Sequence, residues 1–128
     1  IGYQAAYQEF PGPTIGRVNI GYQAGKLADF GDYTIAIGHK AGEFSQSDDC
    51  IAIGKNAGTL FPERGSIAIG RNAGYSAMAE RGIAIGGSAK YYSDGNYGSI
   101  GIGFRAGYWL QGSSSVAIGD EAGTVDTG

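Results

Sequence analysis

The sequence predicts an all-β chain, a parallel β-roll or β-solenoid of about eight coils of 16 residues each. Three observations predict it. The pair Ile-Gly returns at Ile1, Ile20, Ile37, Ile53, Ile69, Ile85, Ile102 and Ile118, at intervals of 19, 17, 16, 16, 16, 17 and 16 residues. Four positions after each of these isoleucines stands Ala, from Ala5 to Ala122, and in six of the eight copies Gly follows that Ala. Two positions before the Ile, from the second copy on, comes another β-branched residue: Val18, Ile35, Ile51, Ile67, Ile83, Ile100 and Val116. A fixed short period of this kind marks stacked repeats, each too small to bury a face alone.

Each element follows from these columns. Between the two β-branched residues sits a small one (Ala36, Ala52, Ala68, Ala84, Gly101 and Ala117, with Asn19 the exception). Residues at i and i+2 share one face of a strand and the residue between them points to the other. Each copy therefore reads as a short strand with a β-branched face and a nearly bare face. We expect the β-branched face to fill the core and the bare face to let another backbone approach. The Gly after the Ile, and the Ala-Gly pair, supply the bends. Seven positions after the Ile runs a second apolar column, Leu27, Phe44, Leu60, Tyr92, Trp109 and Val125, broken by Gln8 and Ser76, which reads as a second, less regular strand. Coils stacked at strand spacing make a rod of roughly 40 Å. A helical reading fails, because the apolar spacing is two and Gly in every copy costs about 1 kcal/mol against Ala in a helix.

Composition narrows the class to one repeat domain, residues 1–128. The 25 glycines follow no Gly-X-Y period and there are only three prolines, which excludes collagen. Nine Tyr, five Phe and one Trp argue against a disordered linker. A net charge of −3 with mixed signs is poor material for nucleic-acid binding. No apolar run reaches bilayer-spanning length, so no direct membrane insertion is expected. The first residue, Ile1, falls inside the motif, which reads as a piece of a longer fibrous protein.

Residues 66–73, SIAIGRNA, and 115–122, SVAIGDEA, resemble the head repeats of YadA-like trimeric autotransporter adhesins. The stretch IGYQAG at 20–25, with a variant at 1–6, is similar to repeats of phage tail fibres and large bacterial surface proteins. The resemblance covers essentially the whole chain. It implies a left-handed roll assembled as a homotrimer, extracellular on a cell or virion surface, which binds a host surface protein or glycan. The family's motif residues are structural, so it assigns no binding residue. Here they are the ladder Ile37, Ile53, Ile69, Ile85, Ile102 and Ile118.

The expected function is therefore a non-enzymatic adhesion or receptor-binding head, without cofactor or metal. A tail-fibre segment is the alternative, with a structural spacer or an ice-binding protein behind it. No regular Thr ladder supports ice binding. Cys50 shares its column with Thr34, Ser66, Ser99 and Ser115 and reads as a small ladder member rather than a nucleophile. Carboxylates such as Asp48, Asp49, Glu63 and Glu80 scatter through the variable segments as solvated surface. Candidate ligand-binding residues lie in two ladders. Two positions after the Ile, successive coils carry His39, Lys55 and Arg71; six positions after it, Tyr75, Tyr91 and Tyr108. An insertion, SDGNYG at 93–98, is expected to bring Tyr97 near the tyrosines. If the column after them faces inward, these rings face outward, and Tyr92 and Trp109 lie in the core or at a chain interface.

Overall fold

The computed structural model describes residues 1–7, 15–27, 31–60, 62–92, 97–109 and 112–124. The architecture is the expected all-β solenoid. Seven three-residue strands form one parallel sheet in sequence order: β1 Val18–Ile20, β2 Ile35–Ile37, β3 Ile51–Ile53, β4 Ile67–Ile69, β5 Ile83–Ile85, β6 Ile100–Ile102 and β7 Val116–Ile118. They mark six turns of about 16 residues. The first Ile-Gly copy adds no strand, but the ladder reaches it through a bond from the Gly21 amide to the Ile1 carbonyl (2.7 Å). Register is exact in residue type: Ile37 pairs with Ile53, Ile53 with Ile69, Ile69 with Ile85, Ile85 with Ile102 and Ile102 with Ile118.

The inside and outside of the coil are the reverse of the expectation. The small central residues face inward: Ala36 and Ala84 have no exposed surface, and Ala52 and Ala68 show 1%. The flanking isoleucines of β2 to β6 face outward and are half-buried, each stacked in register with its counterparts in the adjoining coils. The cause is width. A Cβ built on Gly58 would lie 3.3 Å from the Ala52 methyl and 3.6 Å from that of Ala68. Opposite walls are thus one methyl apart, and a β-branched side chain has no room between them. The core is accordingly a cluster of alanines, Ala24, Ala36, Ala41, Ala52, Ala57, Ala68, Ala73, Ala84 and Ala89, plus Met78. Alanine burial contributes little per residue, so each coil stacks on a modest apolar core and a full set of inter-coil hydrogen bonds.

Each coil turns at two corners, one after the strand and one before it, where Asp49, Gly65, Arg81, Gly98 and Ser114 are left-handed (φ 58° to 69°). The Gly after the strand sits directly on its counterpart in the next coil. At Gly70 φ is +126°, and a Cβ there would come within 2.7 Å of the Gly86 carbonyl oxygen. Only Gly satisfies both conditions. Two residues further on, the chain is left-handed at non-glycine residues: Lys40, Asn56, Asn72, Ser88, Arg105 and Glu121 all have φ between 53° and 57°. Asn suits this conformation best, and Asn56 Nδ2 donates to Asn72 Oδ1 across the coils (3.1 Å).

The second apolar column makes isolated bridges, Leu27 to Phe44 and Phe44 to Leu60, and no strand among the described residues. Left-handed Gly42 (φ 53°) and Ser45 (φ 41°) leave only two extended residues between them. The column does not turn inward either: Tyr92 and Trp109 are 42% and 48% exposed. Gln8, Val125 and residues 93–96 of the insertion lie outside the described residues.

Candidate binding surface

Because the repeat fixes the backbone, whatever a coil presents depends on the residue it places in each variable column. The column two positions after the strand's last Ile begins as an aromatic stack. Tyr3 lies on Tyr22 (ring centroids 5.5 Å apart) and Tyr22 on His39 (5.0 Å, interplanar angle 17°). It continues as exposed Lys55 and Arg71, so His39, Lys55 and Arg71 occupy one corner, as their spacing indicates. Lys40 beside His39 pairs with Glu43 at 3.5 Å.

The tyrosine ladder is real and larger than its spacing suggests. Tyr75 stacks on Tyr91 (4.9 Å, 6°), and Tyr91 on Tyr108 (5.4 Å, 14°). Beside them Tyr92 stacks on Trp109 (4.7 Å, 10°). The two stacks meet edge to face, Tyr91 against Tyr92 at 4.7 Å, Tyr92 against Tyr108 at 5.8 Å and Tyr108 against Trp109 at 5.3 Å. Parallel-offset and T-shaped contacts are the two arrangements favoured by the ring quadrupole. Partial burial, followed by the neighbouring phenols of Tyr75, Tyr92 and Tyr108, raises the Tyr91 pKa and keeps that hydroxyl protonated.

At the end of this aromatic patch, Arg105 lies over two rings, 5.2 Å from the Tyr108 centroid and 5.6 Å from that of Phe104. Its Nη1 donates to Glu121 Oε1 at 3.4 Å. A surface hollow of about 420 Å³ opens here, lined by Arg105, Tyr108, Trp109, Glu121 and Thr124. Spacing alone misses Arg105 and Glu121, which are ordinary corner residues by column. The available signal was the change from Leu and Phe to Tyr92 and Trp109 in the second apolar column.

Tyr97 does not join the tyrosine ladder. It lies at the other corner, which precedes the strand, where its hydroxyl accepts a hydrogen bond from Arg81 and its ring sits 5.5 Å from the Arg81 guanidinium. The column register explains this: the Gly98 amide bonds to Glu80 (3.0 Å) and the Ser114 amide to Tyr97 (2.8 Å), which aligns this residue with the pre-strand turn. A smaller hollow of about 270 Å³ at that corner is lined by Asp49, Arg64, Gly65, Glu80 and Arg81.

Cys50 stands in its small-residue ladder, fully buried, with its thiol 3.1 Å from the Glu63 carbonyl and 3.4 Å from Ser66 Oγ. Burial pushes its pKa up, which disfavours the thiolate a nucleophile needs. Lys90 is the less expected interior residue. It replaces the Gly of the Ala-Gly pair, has no exposed surface, and donates from Nζ to the Ser99 carbonyl (3.0 Å) and to Ser99 Oγ. Its stem fills the space that a side chain at residue 101 would need: a Cβ on Gly101 would lie 2.7 Å from Lys90 Cγ. Among the described residues no three His, Cys, Asp or Glu side chains group as a metal site, and no helix is long and apolar enough to cross a membrane. No protein-family model, curated protein or solved structure matches this chain.

Proposed function

We propose that this chain is a non-enzymatic binding module of an extracellular fibre, in which copies associate side by side and present their variable corners to a host surface protein or glycan. The observation that carries the reading is the outer face of the sheet. Fourteen Val and Ile residues, two from each of the seven strands, form a charge-free surface open to solvent in the single chain. An apolar surface of this extent on a soluble protein marks an interaction site, and fully burying each such side chain is worth about 1.5–3 kcal/mol. A second copy is the occupant its regularity fits, since ladders of identical rise match each other rung for rung. Association thus uses the isoleucine face, and not the small-residue face assigned to it from the sequence, which lines the core. The resemblance to adhesin heads sets the number of copies at three.

The corner of His39, Lys55 and Arg71 and the tyrosine patch are the surfaces left for recognition. The IGYQAG stretch at 20–25 favours a second reading, a tail-fibre segment, in which the same assembly serves a virion. Sedimentation equilibrium tests the shared part. The expected mass is three times the 13.1 kDa of one chain, and a well-folded monomer at micromolar concentration overturns it.

A further inference from the structure

We propose that the aromatic patch around Trp109 and Tyr92, with Arg105 and Glu121 beside it, is a binding site for a neutral pyranose unit of a glycan. This deepens the adhesion reading and rests on it. Pyranose rings carry faces of C–H bonds that lie on the electron-rich faces of aromatic rings, and vicinal hydroxyls that need a donor and an acceptor side by side. Both halves are present. Tyr92 and Trp109 are about half exposed, and their parallel stack at a centroid distance of 4.7 Å is offset, since rings in contact lie only about 3.5 Å apart. Part of each ring face is therefore open. The hollow against Trp109 holds about 420 Å³, within the range of small-ligand sites.

Arg105 brings fixed donors and Glu121 an acceptor, held 3.4 Å apart on that hollow, with Thr124 on its wall. The site is also preorganised. Arg105 is pinned over two rings, and each of Tyr91, Tyr92, Tyr108 and Trp109 is locked by at least two neighbours. Little side-chain freedom is left to lose on binding. Because the Arg105 charge is already matched by Glu121, the site selects neutral sugars over sialylated or sulfated ones. A protein hot spot needs a wide water-excluding surround, whereas the rim of this hollow is an ion pair and hydroxyls. Single-sugar affinity at such a site is weak, and repetition across associated chains raises it by about 10² to 10⁴.

Trp109 is the only tryptophan, so its fluorescence reports on this site alone. Titration of the whole chain with the methyl glycosides of glucose, galactose, mannose and N-acetylglucosamine should give a saturable change with at least one of them. Calorimetry with that glycoside should show the Kd raised at least about tenfold in Trp109→Ala and in Glu121→Gln, and unchanged in Tyr97→Ala at the opposite corner. No response to any of the four, or equal binding by Trp109→Ala with native circular dichroism, overturns the site. Preference for sialylated or sulfated glycans on an array overturns the neutral class, and binding that survives deglycosylation of a protein ligand overturns a sugar in favour of protein. Sedimentation of the same sample reads self-association separately, so failure of the site and failure of the fibre reading are told apart.

Discussion

From β2 to β4 the motif columns repeat unbroken from one coil to the next, whereas from β5 to β6 several columns change at once. In the first region Ile-Ala-Ile repeats unbroken, the Ala-Gly pair closes each coil, and one buried column holds Gln46, Pro62 and Met78 in successive coils. In the second, Lys90 replaces the pair's Gly, Gly101 replaces the central Ala, an insertion lengthens the coil, and Tyr91, Tyr92, Tyr108 and Trp109 gather outside. The interior changes compensate one another: a lysine stem enters and a methyl leaves. The lesson is that the scaffold tolerates variation where a neighbour yields the space, and that its departures from regularity coincide with its richest surface.

The regular region should break hardest. Gly70→Ala adds a Cβ against the Gly86 backbone at a left-handed φ, and should destabilise by about 3 kcal/mol or more in urea unfolding. Ala68→Leu, next in size, overfills the one-methyl interior and should cost about 3 kcal/mol. The neighbouring Ile67→Ala, on the outer face, should cost a dissociated chain only about 1 kcal/mol. If the two costs are reversed, the faces have been assigned the wrong way round.

Lys90 distinguishes the irregular region through pH. Burial lowers its pKa from 10.5 to about 8. Between those values the folded chain has released a proton that the unfolded chain still holds, so stability should rise as pH increases from about 8 to about 10.5. The gain is about 3 kcal/mol at most, and Lys90→Met should abolish it while raising stability at neutral pH. The smallest effect belongs to Gln46, buried with both amide atoms lacking a hydrogen-bond partner among the described residues. Gln46→Met copies Met78, which stands in the same interior column two coils away, and should stabilise by about 1 kcal/mol.

Much of this was legible in the residues. The Ile-Gly column set the strands, their parallel order and their register, because identical side chains two apart leave no competing alignment. Which face turned inward was not legible: alternation reports two faces, and the choice depends on coil width, which the two left-handed corners fix. Hydrophobicity alone pointed the larger residues inward, and sterics put the alanines there. The tyrosine ladder could be counted from spacing, but its partners could not. Arg105 and Glu121 carry no periodic mark, and the insertion hid the fact that Tyr97 aligns with the turn before the strand.

The inverted coil, alanine inside and isoleucine outside, and the proposed pairing of that outer face with a second chain are tested most directly by sedimentation equilibrium and far-ultraviolet circular dichroism on Ile53→Lys/Ile69→Lys beside the parent chain. If the parent chain associates as proposed, two lysines on its outer face should leave a folded monomer of 13.1 kDa with an unchanged β spectrum. Loss of the β spectrum at every concentration would place these isoleucines in the core, and an undiminished multimer would move the interface to another face; either result contradicts the account.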